Sequence, residues 1–575
     1  MSALQSVVGG QEVTVMPTPQ LRRAHQPTAA AQETVVARVY FNDITDLNQF
    51  AVHLDIWEVH HHENPRLRYF VALLTTDEVT TLRAQGYRVE IDRARSAQLT
   101  QPVQSAAPQA GIPGFPCYRT VAETYATLAA LAETHPNLAT WVDIGDSWDK
   151  VNSAGAAGYD LQALVLTNHN HTGPKPVFFL MAAIHARELV TAEIATRFAE
   201  YLVDNYGKDA DVTWLLDYTE IHIVAESNPD GRVLVEEMTS SLRWWRKNTN
   251  STTCPNAEPT ISSYGVDLNR NSSFKWNQCQ GSGCSSGQGC FITYRGESPA
   301  SEPETQALQA YIGSIFPDQR GPADTDPAPA DATGLLISLH SYSELVLFPW
   351  GWSDVAAPNR TQLATLGRKF GYFTGYQVCQ AGELGCIYQT DGSTDDWSYG
   401  ELGVASYTFE LGTDFFQQCG YFESVMMGKT MPALLYAAKA ARRPYQTPAG
   451  PETLQLSTTL TTTQSGPMLQ IVAQADDTRY ASHGWGSEPT QAIAGARLTI
   501  DAPAWITTTQ SYTMTAVDGA FDAAQEVVTG ALDITTWAPG RYQLFIESED
   551  ADGNWGTPSS LFFEIHRLFF PVVMK

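Results

Sequence analysis

At 575 residues, 43% of them hydrophobic and 11% aromatic, the chain is long enough for roughly three or four folded units and can bury at least one large core. Its formal net charge of −27 argues against nucleic acid as a main partner, because phosphates would be repelled, and otherwise favours solubility. Nowhere does an apolar run reach the ~18 residues that a membrane-spanning helix needs.

Residues 1–33 are polar and rich in Ala, Gln and Pro, and read as disordered. The start, MSALQSVVGGQEV, lacks the basic and apolar regions of a secretory leader, so a leader would already be removed or the start lies elsewhere. Residues 34–97 read as a small α+β module: a strand at 35–41, helical spacing over 46–59, a strand at 67–74, a helix at 75–86 and a strand at 87–92. Residues 98–112 look like an exposed linker. Over 113–443 apolar strand-like runs (163–168, 177–184, 220–227 and 334–342) alternate with helices such as 191–207. That pattern predicts an α/β domain whose mixed sheet is covered by helices on both faces. Residues 450–567 are rich in Thr, Ser and Gly with short alternating strands, and predict an all-β sandwich. The tail HRLFFPVVMK reads as a last strand or packed terminus.

Eight cysteines lie between Cys117 and Cys419. CQGSGCSSGQGC (279–290) lacks the paired spacing of a zinc ribbon, so disulfides and an oxidising compartment are expected. Local pairs Cys254–Cys279, Cys284–Cys290 and Cys379–Cys386 are the simplest assignment. Sequence spacing alone does not fix such connectivity.

The chemistry concentrates in AAIHARELVT (182–191), where His185 and Glu188 stand three residues apart just after an apolar strand. One turn brings positions i and i+3 together, and imidazole and carboxylate both suit zinc. His340 ends another apolar strand, GLLISLH. Together the three supply two histidines and one carboxylate, the set a catalytic zinc takes while keeping one position open.

Further segments follow in order: NPDGR (228–232), SLRWWRKN (241–248), GVDLNRN (265–271), IYQTDGSTDDW (387–397) and YTFELG (407–412). With HARE and His340 they resemble the zinc metallocarboxypeptidases of the pancreatic carboxypeptidase A/B type, over roughly residues 113–440. The resemblance implies one Zn²⁺ per chain on His185, Glu188 and His340, with Asp267 orienting a zinc histidine. It implies Glu410 as the general base acting on zinc-activated water, and Arg246 as the cation facing the scissile carbonyl, assisted by Arg243. Asn269 and Arg270 would clamp the substrate's terminal carboxylate, Tyr388 would close over it, and Arg187 would add positive potential along the cleft. Asp395 would lie at the base of the pocket for the C-terminal side chain and favour Lys or Arg, or a mixed preference.

The resemblance therefore implies a secreted hydrolase that removes C-terminal residues from peptides and proteins. Residues 34–97 stand where the family's activation propeptide would be, with Arg93 and Arg95 as cleavage points, which implies a zymogen. The competing readings are a zinc amidase or cell-wall peptide hydrolase, and a surface- or glycan-binding protein whose peptidase domain is vestigial. The insertions 278–291 and 317–333 are expected as surface loops. His60, His61, His62 and Glu63 cannot all face one ion and read as a solvated loop, while DADGNWG (550–556) lacks the terminal glutamate of a calcium loop and reads as a β-turn.

Overall fold

Three hydrogen-bonded sheets divide the chain in a computed structural model that describes residues 33–100, 110–239, 242–255, 257, 261–279, 284–464, 466–484 and 486–566. The polar segment 1–32, linker residues 101–109 and tail residues 567–575 lie outside the described residues.

The first unit pairs β1 (Thr34–Tyr40), β2 (Asp55–His60), β3 (Tyr69–Thr75) and β4 (Val89–Ile91) antiparallel in the order β2-β3-β1-β4. The helices α1 (Ile44–Ala51) and α2 (Thr76–Ala84) bury Leu47, Val79 and Leu82 against Val39, Phe70, Ala72 and Leu74. A capping box starts α2: Glu78 N donates to the Thr75 hydroxyl at 3.2 Å, and Thr75 N donates back to the Glu78 carboxylate at 2.7 Å. Two expectations change here. The helical spacing over 46–59 holds only to Ala51; Asp55–His60 is an edge strand. The linker starts later than 98, because Arg93–Thr100 forms a helix, α3.

The central sheet has eight strands: β5 (Ala139–Asp146), β6 (Asp160–Leu166), β7 (Val177–Met181), β8 (Glu220–Val224), β9 (Leu335–His340), β10 (Leu345–Phe348), β11 (Gln377–Gln380) and β12 (Ala405–Glu410). Their order is β11-β10-β12-β9-β7-β8-β6-β5, with parallel and antiparallel pairs mixed. Every residue of β9 is buried, as a strand covered on both faces requires. The helices are α4 (Val121–Thr134), α5 (Trp148–Asn152), α6 (Leu189–Asn205), α7 (Ala210–Tyr218), α8 (Pro229–Glu236), α9 (Pro303–Ile315), α10 (Arg360–Thr374) and α11 (Thr394–Leu402), with a further helix at Met427–Ala440. One apolar core joins the sheet to α4, α6, α7, α10 and the last helix; a second, on the opposite face, takes in α9 and α11.

The C-terminal unit runs antiparallel throughout: β13 (Glu452–Thr463), β14 (Gly466–Asp476), β15 (Ile493–Ile500), β16 (Ser511–Ala516), β17 (Gln525–Asp533), β18 (Gly540–Asp550) and β19 (Ser559–Ile565). It is not two separate sheets, as a sandwich would be. The strands form one order, β13-β14-β17-β16-β15-β18-β19, that curls until β13 packs beside β18 and β19. The turn of the curl is the β16–β17 ladder, only two residue pairs long. This unit is fastened to the central one. Gly484 bridges to Val378 on the edge strand β11, and buried Lys369 of α10 lies 3.8 Å over the Tyr480 ring and 3.5 Å from Glu452.

All eight cysteines pair, as Cys117–Cys419, Cys254–Cys290, Cys279–Cys284 and Cys379–Cys386. Only the Cys379–Cys386 expectation matches; the 254–290 region folds so that Cys290 returns to Cys254. Among the described residues no helix is long and apolar enough to cross a membrane.

Candidate active site

The strands β12, β9, β7 and β8 run parallel side by side, so their C-terminal ends open onto one place, where parallel α/β sheets hold ligands. Glu410 ends β12 and His340 ends β9, and the two are partners in register. After β7 ends at Met181 the chain turns before α6 begins at Leu189, and that turn carries His185 and Glu188.

His185, Glu188 and His340 converge and are all buried. The His185 and His340 Nδ1 atoms are 3.1 Å apart; Glu188 approaches them at 2.8 Å with Oε1 and 3.3 Å with Oε2. The other His185 nitrogen, Nε2, lies 3.2 Å from Asp267 Oδ1. A carboxylate there holds the ring proton on Nε2 and leaves the Nδ1 lone pair facing His340 and Glu188. The ring nitrogens and the carboxylate thus face one common point, and two imidazoles with one carboxylate are zinc donors. The donor set fits that ion.

The surrounding charges are organised through Asp267. Its Oδ2 accepts from Arg246 Nε and Nη2 at 3.1 and 3.0 Å, and its Oδ1 from the Asn269 backbone N at 3.0 Å. Burial works against its charge, but Arg246 and Arg270 hold its carboxyl well below the usual range. Burial, with Arg246, keeps His185 low and so neutral. Burial pushes Glu410 up to about 7, against the pull of His340 and Arg246.

The cleft is lined by His185, Glu188, His340, Arg246, Asn269, Arg270, Tyr388, Asp395, Thr408 and Glu410, among others. Asp395 is buried; its Oδ1 accepts from Asp396 N at 3.0 Å and its Oδ2 from the Thr408 hydroxyl at 3.1 Å. Gly392 (φ +63) is required nearby, because a Cβ there would stand 2.3 Å from the Arg270 carbonyl oxygen.

A model of the zinc carboxypeptidase family matches residues 124–424. The chain belongs to the zinc carboxypeptidase family. It is 28% identical over 301 residues to carboxypeptidase A1 of Mus musculus, covering 52% of this chain and 63% of that protein. Against a zinc carboxypeptidase of Saccharothrix mutabilis subsp. capreolus it is 30% identical over 344 residues, 57% of this chain and 71% of that one. The match thus spans 63–65% of the length of the mammalian carboxypeptidase A1 relatives from mouse, rat and cattle. In fold it is similar to the crystal structure of carboxypeptidase A from Helicoverpa armigera, with a TM-score of 0.55 and 22% identity over 71% of this chain and 98% of that one.

Of the expected cleft residues in this zinc carboxypeptidase family member, Arg187 lines the cleft but is already paired, and Arg243 stands outside the lining. Arg187 is fully buried and paired with Asp55 of β2, Nη1 to Oδ2 at 2.6 Å and Nη2 to Oδ1 at 2.7 Å. Arg243 is not among the cleft-lining residues; its guanidinium donates to the Gln98 carbonyl of α3. The first unit also supplies residues that the motifs did not mark. Trp57 stacks on Trp244 with centroids 5.3 Å apart and donates through Nε1 to Asp55 at 3.0 Å. Tyr342 donates to Glu58 at 2.7 Å, Asn48 exchanges hydrogen bonds with Gln389, and Tyr388 packs against the core of the first unit. With these residues in place the cleft retains a volume of only about 80 Å³, where ligand pockets run ~300–1,000 Å³. A sequence signal existed for Tyr342, which stands in the LHSY run. Asp55 carried none, since its role depends on a partner far along the chain.

The three neighbouring histidines face different ways. His60 meets Glu58 at 2.8 Å, His61 meets the Cys386 carbonyl at 3.0 Å, and His62 accepts from Asn64 N at 2.9 Å.

Proposed function

We propose that the chain is a secreted zinc metallocarboxypeptidase of the carboxypeptidase A/B type, kept inactive by its N-terminal unit until that unit is released. The observation carrying this reading is one cleft lined by a zinc-type donor set, by Glu410, by the Asn269 and Arg270 side chains and by buried Asp395.

His185, Glu188 and His340 would hold one Zn²⁺, which supplies Lewis-acid polarisation of a carbonyl and a nucleophilic water at neutral pH. This chain's residues do the rest. Arg270 and Asn269 bind the substrate's terminal carboxylate, for which the planar guanidinium offers two parallel donors. Tyr388 closes over that end. Asp395, at the pocket base, attracts a Lys or Arg side chain and leaves a mixed preference open. Arg246, held by Asp267, faces the carbonyl oxygen as negative charge develops there. Glu410 takes the proton from the attacking water and delivers it to the leaving amine, a task suited to a carboxyl tuned toward neutral pH.

The zymogen part rests on the Asp55–Arg187 pair, the Trp57–Trp244 stack and the small volume left in the cleft. The disulfides support an oxidising, extracellular setting. The test combines metal content with activation. The purified chain is expected to contain one zinc, and cleavage within 93–112 to raise peptidase activity, abolished by a chelator and restored by zinc. Zinc-free protein with unchanged turnover would contradict the reading.

A further inference from the structure

Arg232 is the fourth residue of α8 and is fully buried. Its guanidinium reaches into the turn between β7 and α6, where Nη2 donates to the Leu189 carbonyl at 3.0 Å and Nη1 to the Ala186 carbonyl at 3.3 Å. Those two carbonyls bracket Glu188, and Ala186 follows His185 directly. Ala186 N also donates to the Arg246 carbonyl at 3.1 Å, and Thr191 Oγ1 donates to the Glu188 carbonyl at 2.8 Å. The same helix start holds both halves of the site together: Asn228 Nδ2 donates to the Ile184 carbonyl at 3.2 Å and to the Lys247 carbonyl at 3.0 Å.

A buried guanidinium is expensive unless it is compensated. Two carbonyls could have been satisfied by a neutral donor. Arg232 draws down the carboxyls of Glu226 and Glu236, but burial still raises them to about 7 and about 8, so the guanidinium is held chiefly by the two carbonyls it donates to. The planar fork also matters, because it spans two carbonyls three residues apart, which an ammonium point charge cannot do equally well.

We infer that Arg232 is a positioning residue that fixes the His185–Glu188 turn, and so the geometry of two zinc donors, against the Arg246 segment. It touches neither substrate nor the reacting atoms. The inference rests on the zinc peptidase reading. Groups behind metal ligands that orient them typically change metal affinity ~10–100-fold when removed.

The test uses the full chain as parent, Arg232→Lys, and the double variant Arg232→Met/Glu226→Gln, which removes the buried charge and its neighbour together. Zinc release into a chromophoric chelator is followed in time, with the thermal midpoint of each metal-free form alongside. Release from the double variant should be about 10–100-fold faster than from the parent, and Arg232→Lys should fall between. The metal-free midpoints should stay close to one another, and after removal of the N-terminal unit kcat should fall while KM holds. Parent-like release and kcat in the double variant would overturn the inference. So would faster release matched by an equally large loss of metal-free stability, since Arg232 would then only support the fold. A parent that holds no zinc would defeat the zinc reading itself, whereas a zinc-holding parent with indifferent variants defeats only the role of Arg232.

Discussion

Glu410 and His340 meet because β12 and β9 are parallel and in register to their last residues. The proposed general base, Glu410, gains its place from that ladder, and burial raises its carboxyl to about 7. Glu410→Gln keeps shape and loses the proton acceptor, so it should retain zinc and lower kcat about 10²–10⁴-fold; metal analysis and turnover on one preparation check both halves. Asp395 shares its two oxygens with Asp396 N and the Thr408 hydroxyl and lines the cleft. Removing one member of a buried, hydrogen-bonded charge pair costs about 2–5 kcal/mol. Asp395→Leu should therefore cut kcat/KM for peptides ending in Lys or Arg at least tenfold relative to Leu or Phe; an unchanged ratio would remove Asp395 from specificity. At this scale much was legible, since His185, Glu188, His340 and Glu410 stand at or just after apolar strand-like runs, while Arg246 and Arg270 were marked only by the resemblance of SLRWWRKN and GVDLNRN to the family. What stayed hidden was Asp55, which pairs with Arg187 from 132 residues away in another unit.

At the level of elements, the misread segment is the one that enters the cleft. The spacing over 46–59 looked helical because α1 supplies Leu47 and Ala51 and the strand continues with Leu54, Ile56 and Trp57. Yet β2 is an edge strand with an irregularity between Ile56 and Glu58. Bulges of that kind re-aim side chains, and here Asp55, Trp57 and Glu58 all contact the central unit. The Cys254–Cys290 bond escaped prediction for a related reason: loop path, not spacing, decides pairing. Asp55→Ala would leave Arg187 buried and unpaired, a loss of roughly 3–5 kcal/mol from the contact between the units. The uncleaved Asp55→Ala chain should show at least tenfold more peptidase activity than the uncleaved parent, and the two should converge after proteolysis within 93–112. Equal activity before cleavage would mean that the contact does not restrain the enzyme.

Across the whole molecule, buried acids set a pH dependence opposite to that of ordinary surface carboxylates. Burial raises Glu226 and Asp230 to about 7 and Glu236 and Glu304 to about 8, even though Arg232 draws Glu226 and Glu236 down. Unfolded carboxyls titrate near ~4. Between that value and the raised ones the unfolded chain releases protons that the folded chain keeps, so stability falls as pH rises through about 5 to 8. Glu58 works the other way, but with its carboxyl lowered to about 2 its contribution is lost only in stronger acid. Calorimetry should place the melting temperature several degrees higher near pH 5.5 than near pH 8.5, and a rising midpoint over that window would contradict the assignment. The three-unit layout could be read from composition and strand periodicity. The curl of the last unit could not, because it depends on the short β16–β17 ladder and on docking against α10 and β11.

The central claim is that the cleft acts on free C-termini, and it is tested most directly by hydrolysis of matched peptides ending in Lys, Arg, Phe or Leu, each with a free or an amidated C-terminus, by the chain freed of its N-terminal unit. The account predicts release of the last residue from the free-acid peptides, fastest for Lys and Arg, with the amides cut at least a hundredfold more slowly because Asn269 and Arg270 have no carboxylate to hold; equal cleavage of the amides would contradict it.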